Sequence, residues 1–508
     1  MNSNFRKNIS ISLINFMFSI FMTLWFTPFI IHNLGIEAFG YTNIILNLIN
    51  IATVVTLAIT SMSSRFLSIE LQRKRTNEAN KYFNSILLSL IVLSFFLLIL
   101  FTIVLFNLET VINISNMFVS DVKILFLLAY LSFLVAMVST PFLGGIYFQN
   151  KLRITYFFNI LNLGFRFVLC IGVFYYFGPI LWIPNLAVFI VNIVAAIYYL
   201  GTYKKMMPGI SISISKFNLS YAVKVVKSGI WISISKAGSI LLGTLNIYFS
   251  NILINPEIAG VYAAVLQLQT LVIVLVNAIV PCFVPEMYKR FAENKIVSLI
   301  SYVKKSILLL NVPMGIVIGG VLAFGKYFMV LWLGTEFGQY ELILVSVIMY
   351  LPFILSAEVL NQFNITMNRV KVPALVTLLF GGINILLIFI LFYSTHLGIY
   401  SIIISQMITV TIRGMLFFPI YSAKVAGVKL STFYTEITMG IGITIVTLLV
   451  GLFFRFLINP NSWVKLFFSS LFTLVLVSLI IFVFFINKDN KKIIKNKMVR
   501  LIKRVKNK

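Results

Sequence analysis

The chain has 508 residues, 60% of them hydrophobic and only 10% charged, with a net charge of +27. Soluble domains carry about 25% charged residues, so this composition excludes a soluble globular protein and reads as an integral membrane protein. The basicity raises nucleic acid as a partner, and the placement of the charges removes it.

Apolar runs long enough to cross a bilayer, about 20 residues each, fall at 9–31, 41–62, 83–107, 122–146, 155–177, 180–200, 228–252, 260–284, 306–332, 340–365, 372–393, 397–421, 433–457 and 464–486. They predict an all-α polytopic membrane protein with about 14 transmembrane helices. Arg6 and Lys7 precede the first run and no small-residue cleavage site follows it, so it reads as a retained span rather than a signal peptide. Alternate connections collect 33 of the 40 lysines and arginines, the tail included, while the opposite set holds only Lys123, Arg455 and Lys465. By the positive-inside rule both termini are cytoplasmic. The charge is a topology signal.

Span 1 carries Asn8, Ser12, Asn15, Ser19 and Thr23 on one helical face. After it comes LGIEAFGY from Leu34 to Tyr41, and after span 7 comes NPEIAGVY from Asn255 to Tyr262. Glu37 matches Glu257 and Gly40 matches Gly260 at an offset of 220, which also pairs Asn15 with Ser235, Ser19 with Ser239, Asn47 with Gln267 and Asn50 with Thr270. An even number of spans separates the copies, so the repeat is parallel. It predicts two six-helix lobes, 1–200 and 228–421, joined by a cytoplasmic linker at 201–227. Two extra C-terminal helices occupy 422–487, and a basic cytoplasmic tail runs over 488–508. In that tail Ile494, Met498, Leu501 and Val505 fall on one helical face, as in a helix lying on an anionic leaflet. A polybasic tail without helix fits the residues equally.

Span 5 carries Asn159, Asn162 and Arg166. Span 7 carries Ser235, Ser239 and Asn246 with Lys236, and span 12 carries Ser401, Ser405, Thr409 and Arg413. Hydroxyls and amides in lipid serve helix–helix packing, a role that leaves the cations unexplained. At 1.5 Å per residue, Lys236 lies roughly 14 Å beyond Lys227, Arg166 about 20 Å beyond Arg153 and Arg413 about 16 Å before Lys424. All three sit near the middle of a hydrocarbon core about 30 Å thick, too deep to snorkel. Facing lipid they would cost roughly 8–10 kcal/mol together. Glu358 on span 10 and Glu436 at the start of span 13 are the acids read as intramembrane, too few to neutralise three cations. A positive, water-filled cavity that takes an anion follows. Structural pairing with Arg413 is the first reading of Glu358, and carrying a coupling proton the second.

Other features read as structural. Cys170 and Cys282 are expected to be small core residues, and His32 and His396 lie at outer helix ends. Gly320 to Lys326 has the spacing of a phosphate-binding loop, but Tyr327 stands where a magnesium-holding hydroxyl belongs and no strand precedes it. Lys326 instead reads as snorkelling outward. No metal-ligand spacing, Ser/His/Asp set or paired carboxylates are present, so no enzyme and no cofactor are expected.

The stretches LGIEAFGY, SSRF at Ser63–Phe66, NPEIAGVYAA, LWLGTEF and GINILLIFILFYSTHLGIYS, in this order and spacing, resemble the Wzx-type polysaccharide flippases of the multidrug/oligosaccharidyl-lipid/polysaccharide exporter superfamily. The resemblance covers about residues 5–430. It implies two six-helix lobes around a central cavity and alternating access. The implied activity is movement of undecaprenyl-diphosphate-linked oligosaccharide, a capsule, O-antigen or teichoic-acid-type precursor, from the inner to the outer leaflet of a bacterial plasma membrane. Lys236, Arg166, Arg413 and Arg65 would then hold the diphosphate. Asn15, Ser19, Asn47, Asn50, Ser235, Ser239, Asn246 and Gln267 would line the cavity. Membrane lipids and polysaccharide polymerase machinery are the further candidate partners. One departure from the family is Asn246, where many relatives carry an aspartate. The alternatives are a drug or cation antiporter on the same fold, which needs intramembrane carboxylates, and a membrane-embedded polymerase, which needs a large outer loop. The sequence is poor in both.

Overall fold

The computed structural model describes residues 3–484, and the side chains of residues 11–483 except that of Leu13. The expected tail helix from Lys488, and the side chains of Arg6, Lys7 and Asn8, lie outside the described residues. The described residues form helices and their connections with no strand, and fourteen of the helices are long and apolar enough to cross a membrane. In chain order these are α1 (Ser3–Leu34), α2 (Ile36–Gln72), α3 (Thr76–Phe106), α4 (Asn116–Phe148), α5 (Arg153–Phe177), α6 (Ile183–Met206) and α7 (Leu219–Thr244). The second series is α8 (Pro256–Ala292), α9 (Ile296–Leu333), α10 (Thr335–Thr366), α11 (Lys371–Ser394), α12 (Ile399–Ala426), α13 (Tyr434–Ile458) and α14 (Trp463–Phe484). The protein is a multi-pass membrane protein.

Packing divides the chain into two compact units, one running to Leu271 and adding Arg369–Arg413, the other comprising Val272–Asn368 and the chain from Gly414. The first therefore contains α7, the start of α8, α11 and most of α12, which the repeat assigns to the second lobe. The reason lies in α7. Gly229 packs so closely on α2 that a Cβ there would stand 2.2 Å from the Ala58 carbonyl oxygen, and Gly238 meets the Thr377 and Leu378 backbone of α11 equally closely. Such contacts admit only glycine.

In the first unit the repeat appears as geometry. Gly35, at φ 88, breaks α1 from α2, and the starts of α2 and α8 then cross at Gly40 and Gly260. A Cβ on Gly40 would lie 2.9 Å from the Gly260 Cα and 3.3 Å from the Pro256 carbonyl oxygen. A Cβ on Gly260 would lie 2.1 Å from the carbonyl oxygen of Ile36, the residue that the 220 offset pairs with Pro256. Each copy thus packs its glycine on the other copy's first helical residue.

Within the stretch read as the linker, 201–227, α6 continues to Met206 and α7 begins at Leu219, leaving residues 207–218 between the two helices. Polar side chains of α3 hold this segment. Asn80 donates to Gly209 O and accepts from Ser211 N, and Asn84 donates to Ser211 O and accepts from Ser213 N. Ser85 exchanges both bonds with the Asn218 backbone. An extended segment without a sheet partner has its backbone groups satisfied this way.

In the second unit α13 and α14 pack on α9. Gly315 and Gly319 of α9 sit against Gly440, Thr444 and Thr447 of α13, and Ile443, Val477 and Ile481 form a buried cluster. Lys326 does more than snorkel: its Nζ lies 3.2 Å from Glu341. Cys170 is buried as expected, whereas Cys282 is exposed.

Candidate functional site

The cations of the first unit fall into separate environments. Arg166, midway along α5, faces a cavity of about 150 Å³ bounded by Thr27, Thr42, Asn43 and Gln267 from α1, α2 and α8. Its guanidinium lies 3.9 Å from the centroid of the Phe26 ring, and its buried Nε has no hydrogen-bond partner. Behind Phe26, Trp25, Phe29, Phe167 and Phe174 stack into an aromatic wall between α1 and α5. Lys236 and Arg413 line no part of this cavity.

Lys236 is half-buried on α7, on the face shared by Ser235 and the exposed Ser239. The other side of α7 is different: Val226, Ile230, Ser233, Ile234 and Ala237 line an apolar groove with α2 and α3. Lys236 therefore stands off the apolar face. Among the described residues no carboxylate lies within ion-pair distance of Lys236, Arg166 or Arg65. Arg413 donates to the Thr377 hydroxyl of α11 at 3.0 Å, and that hydroxyl donates to Pro373 O. Gly238, two residues past Lys236, packs on the same Thr377. At the start of α11, Lys371 stands 5.3 Å over the Trp231 ring of α7. Lys371 and Arg413 thus both lie along the contact of α7 and α12 with α11, whereas Lys236, two residues from Gly238, projects from another side of α7.

The model of the polysaccharide biosynthesis protein family matches residues 5–291, more than half of the chain. The chain belongs to this family. An uncharacterized membrane protein of Bacillus subtilis (strain 168), EpsK, is 26% identical over 466 residues, covering 91% of this chain and 92% of that protein. Among solved structures, a multidrug resistance MATE transporter of the MOP superfamily in its inward-facing conformation superposes with a TM-score of 0.64 at 13% identity, over 83% of this chain and 98% of its own. The lipid II flippase MurJ, inward closed, gives a TM-score of 0.64 at 13% identity over 94% of this chain and 98% of its own. The chain therefore has the polytopic fold seen in the MATE transporter and in MurJ.

For this family member the remaining predicted residues take distinct places. Asn15, Ser19, Asn47, Asn50 and Ser235 are half-buried on the spans where they were expected, and the Asn15 Oδ1 is buried without a partner. Arg65 is exposed at the C-terminal part of α2, and Glu358 is exposed on α10. Asn246 is a correction. It is fully buried and lines no cavity, because α7 makes a π-helical turn at Ile240–Thr244 just before it. A π turn loosens the ladder and leaves carbonyls to satisfy. Asn384 of α11 donates to Leu241 O and Leu242 O, and at 3.4 Å to Asn246 Oδ1. Asn246 donates to Gln406 Oε1 at 2.9 Å, which also accepts from Tyr262. A closed amide network replaces the expected cavity contact. Sequence reasoning missed Asn384, Gln406, Thr377 and Phe26. Gln406 sits one residue off the stripe that was read, and an aromatic such as Phe26 is background in lipid-facing helices.

Proposed function

We propose that the protein is a flippase that moves undecaprenyl-diphosphate-linked oligosaccharide, of the capsule, O-antigen or teichoic-acid-precursor kind, from the inner to the outer leaflet by alternating access. Support comes from the family and from one observation in particular: Lys236, half-buried on a spanning helix, has no carboxylate within ion-pair distance among the described residues. An uncompensated cation at that depth awaits an anion. In this reading Lys236 and Arg413 hold the diphosphate, Arg65 meets it at the cytoplasmic end of α2, and Asn15, Asn47, Asn50 and Ser235 meet sugar hydroxyls. Both termini are cytoplasmic, with lobes following the repeat. An inside-negative potential favours the transfer by about 2.3 kcal/mol per negative charge per 100 mV.

The antiporter reading is weaker because carboxylates it would use are already engaged. Glu436 lies 3.1 Å from Lys304, and Glu341 lies within 3.2 Å of both Lys326 and Arg455. The test is a depletion strain complemented with Lys236→Gln. Lipid-linked oligosaccharide should accumulate on the cytoplasmic leaflet. Normal leaflet distribution in the depleted strain would reject the flippase, and normal distribution with the variant would reject the role of Lys236.

A further inference from the structure

The Arg166 cavity is too small for a diphosphate carrying sugars. Its 150 Å³ lies below the roughly 300 Å³ at which pockets for ordinary organic ligands begin. Its chemistry is also specific. Arg166 brings one positive charge, and no carboxylate lines the cavity. Thr27 and Thr42 spend their hydroxyl hydrogens on Thr23 O and Ala38 O, and Asn43 spends one N–H on Phe39 O. The donors left are the guanidinium, the Gln267 amide and the second Asn43 N–H. Cation–π contact with Phe26 at 3.9 Å offsets only part of what a largely buried, unpaired ion costs. One small anion completes the balance.

The cavity also records a conformation. Gln267 stands two helical turns past Gly260 on α8, and Asn43 one turn past Gly40 on α2. Gln267 reaches the cavity because α2 and α8 cross at the two glycines. A ligand held by Arg166 and Gln267 together binds the crossed arrangement better than one in which α8 has moved away, and by linkage it favours the crossing. We propose that this cavity is a binding site for a small monovalent anion, of halide or carboxylate size, clamped between Arg166 and Gln267 and stabilising the Gly40–Gly260 crossing. It is separate from the diphosphate site, and it stands without the flippase reading.

The test uses purified full-length protein in detergent with no lipid-linked substrate. Chloride, formate or inorganic phosphate replaces gluconate at constant ionic strength, and thermal unfolding is followed. Chloride or formate should raise the melting temperature saturably by about 2–4 °C; a halide response alone identifies an inorganic ligand, and a formate response points to a carboxylate. Arg166→Gln should abolish the response while melting in gluconate no lower than wild type. Should that variant fail to fold, Gln267→Leu keeps the cation and should raise the apparent dissociation constant about tenfold, the loss of one charge-assisted contact. Gly260→Ala, which pushes the crossing apart, should weaken chloride to a similar degree. No saturable response to chloride or formate, a wild-type response in Arg166→Gln, or stabilisation by phosphate alone would overturn the site. Unchanged chloride affinity in Gly260→Ala would overturn the coupling.

Discussion

The cations inside the two compact units are treated in opposite ways. On α9 and α13 they are neutralised: Lys304 meets Glu436 at 3.1 Å, and Lys326 and Arg455 meet Glu341 at 3.2 and 2.8 Å. On α5 and α7, Arg166 has only the Phe26 ring and Lys236 no ion-pair partner among the described residues. A neutralised ion pair in lipid holds helices together, whereas an unneutralised cation is a stability cost that an anionic ligand or water relieves. Under the function proposed above, the contrast would separate a scaffold from a binding surface within one fold.

The sharpest way to break the comparison is to remove charge from each side. Lys236→Gln should lower oligosaccharide transfer about a hundredfold, the loss of one charge-assisted phosphate contact of about 2–3 kcal/mol. Its melting temperature should stay equal or rise, since an uncompensated cation is gone. A large destabilisation with normal transfer per folded molecule would place Lys236 among the structural cations. Asn246→Asp probes the neutral side of the same unit. The amide donates to Gln406 at 2.9 Å at a site with no solvent exposure, and a carboxylate has no hydrogen to donate there. A loss of about 3 kcal/mol is expected in reversible unfolding, and Asn246→Gln should lose much less if the donor is what counts.

Glu341→Gln tests the scaffold. It strands two cations, but Glu341 is 26% exposed and Lys326 40% exposed, so solvent screening cuts the cost to about 2 kcal/mol. Transfer per folded molecule should be unchanged.

How far the sequence could be read follows from the kind of signal each feature leaves. Apolar runs report spans directly, because the bilayer demands length and composition together, and all fourteen helices stand where such runs fell. The pairing of Gly40 with Gly260 was visible as a repeat, and their contact explains why both positions are glycine. Depth along a helix is also legible, which singled out Arg166 and Lys236. Direction around the helix is not. Asn246 and Lys236 lie on one span, yet the π turn between them rotates Asn246 into the α11–α12 packing. One extra residue in a turn changes the facing of everything after it, and no periodicity announces it. The same limit groups Arg166 with Lys236 by depth alone, while in the fold Arg166 lines a cavity that Lys236 does not. Helix ends within the linker are illegible for a simpler reason: Lys204, Lys205, Lys224 and Lys227 are charged yet helical, as helices emerging from a membrane commonly are.

The smallest expected effect is the most discriminating. Glu436 is nearly buried at 7% exposure, and one of its carboxylate oxygens has no hydrogen-bond partner. Its ion pair with Lys304 therefore repays an incomplete desolvation, and Lys304 is one-third exposed, so water competes for the ammonium. The start of α13 has a second anchor: Asn311 of α9 donates to Ser356 Oγ and to the Glu436 backbone carbonyl, bonds that a change of side chain leaves in place. Glu436→Gln should thus cost only about 1 kcal/mol, and a cycle with Lys304→Met should give a coupling energy no larger. A coupling of about 3 kcal/mol would instead show that water does not reach Lys304. The neutralised cations would then be as desolvated as the free ones, and the contrast between the two units would rest on Arg166 and Lys236 alone.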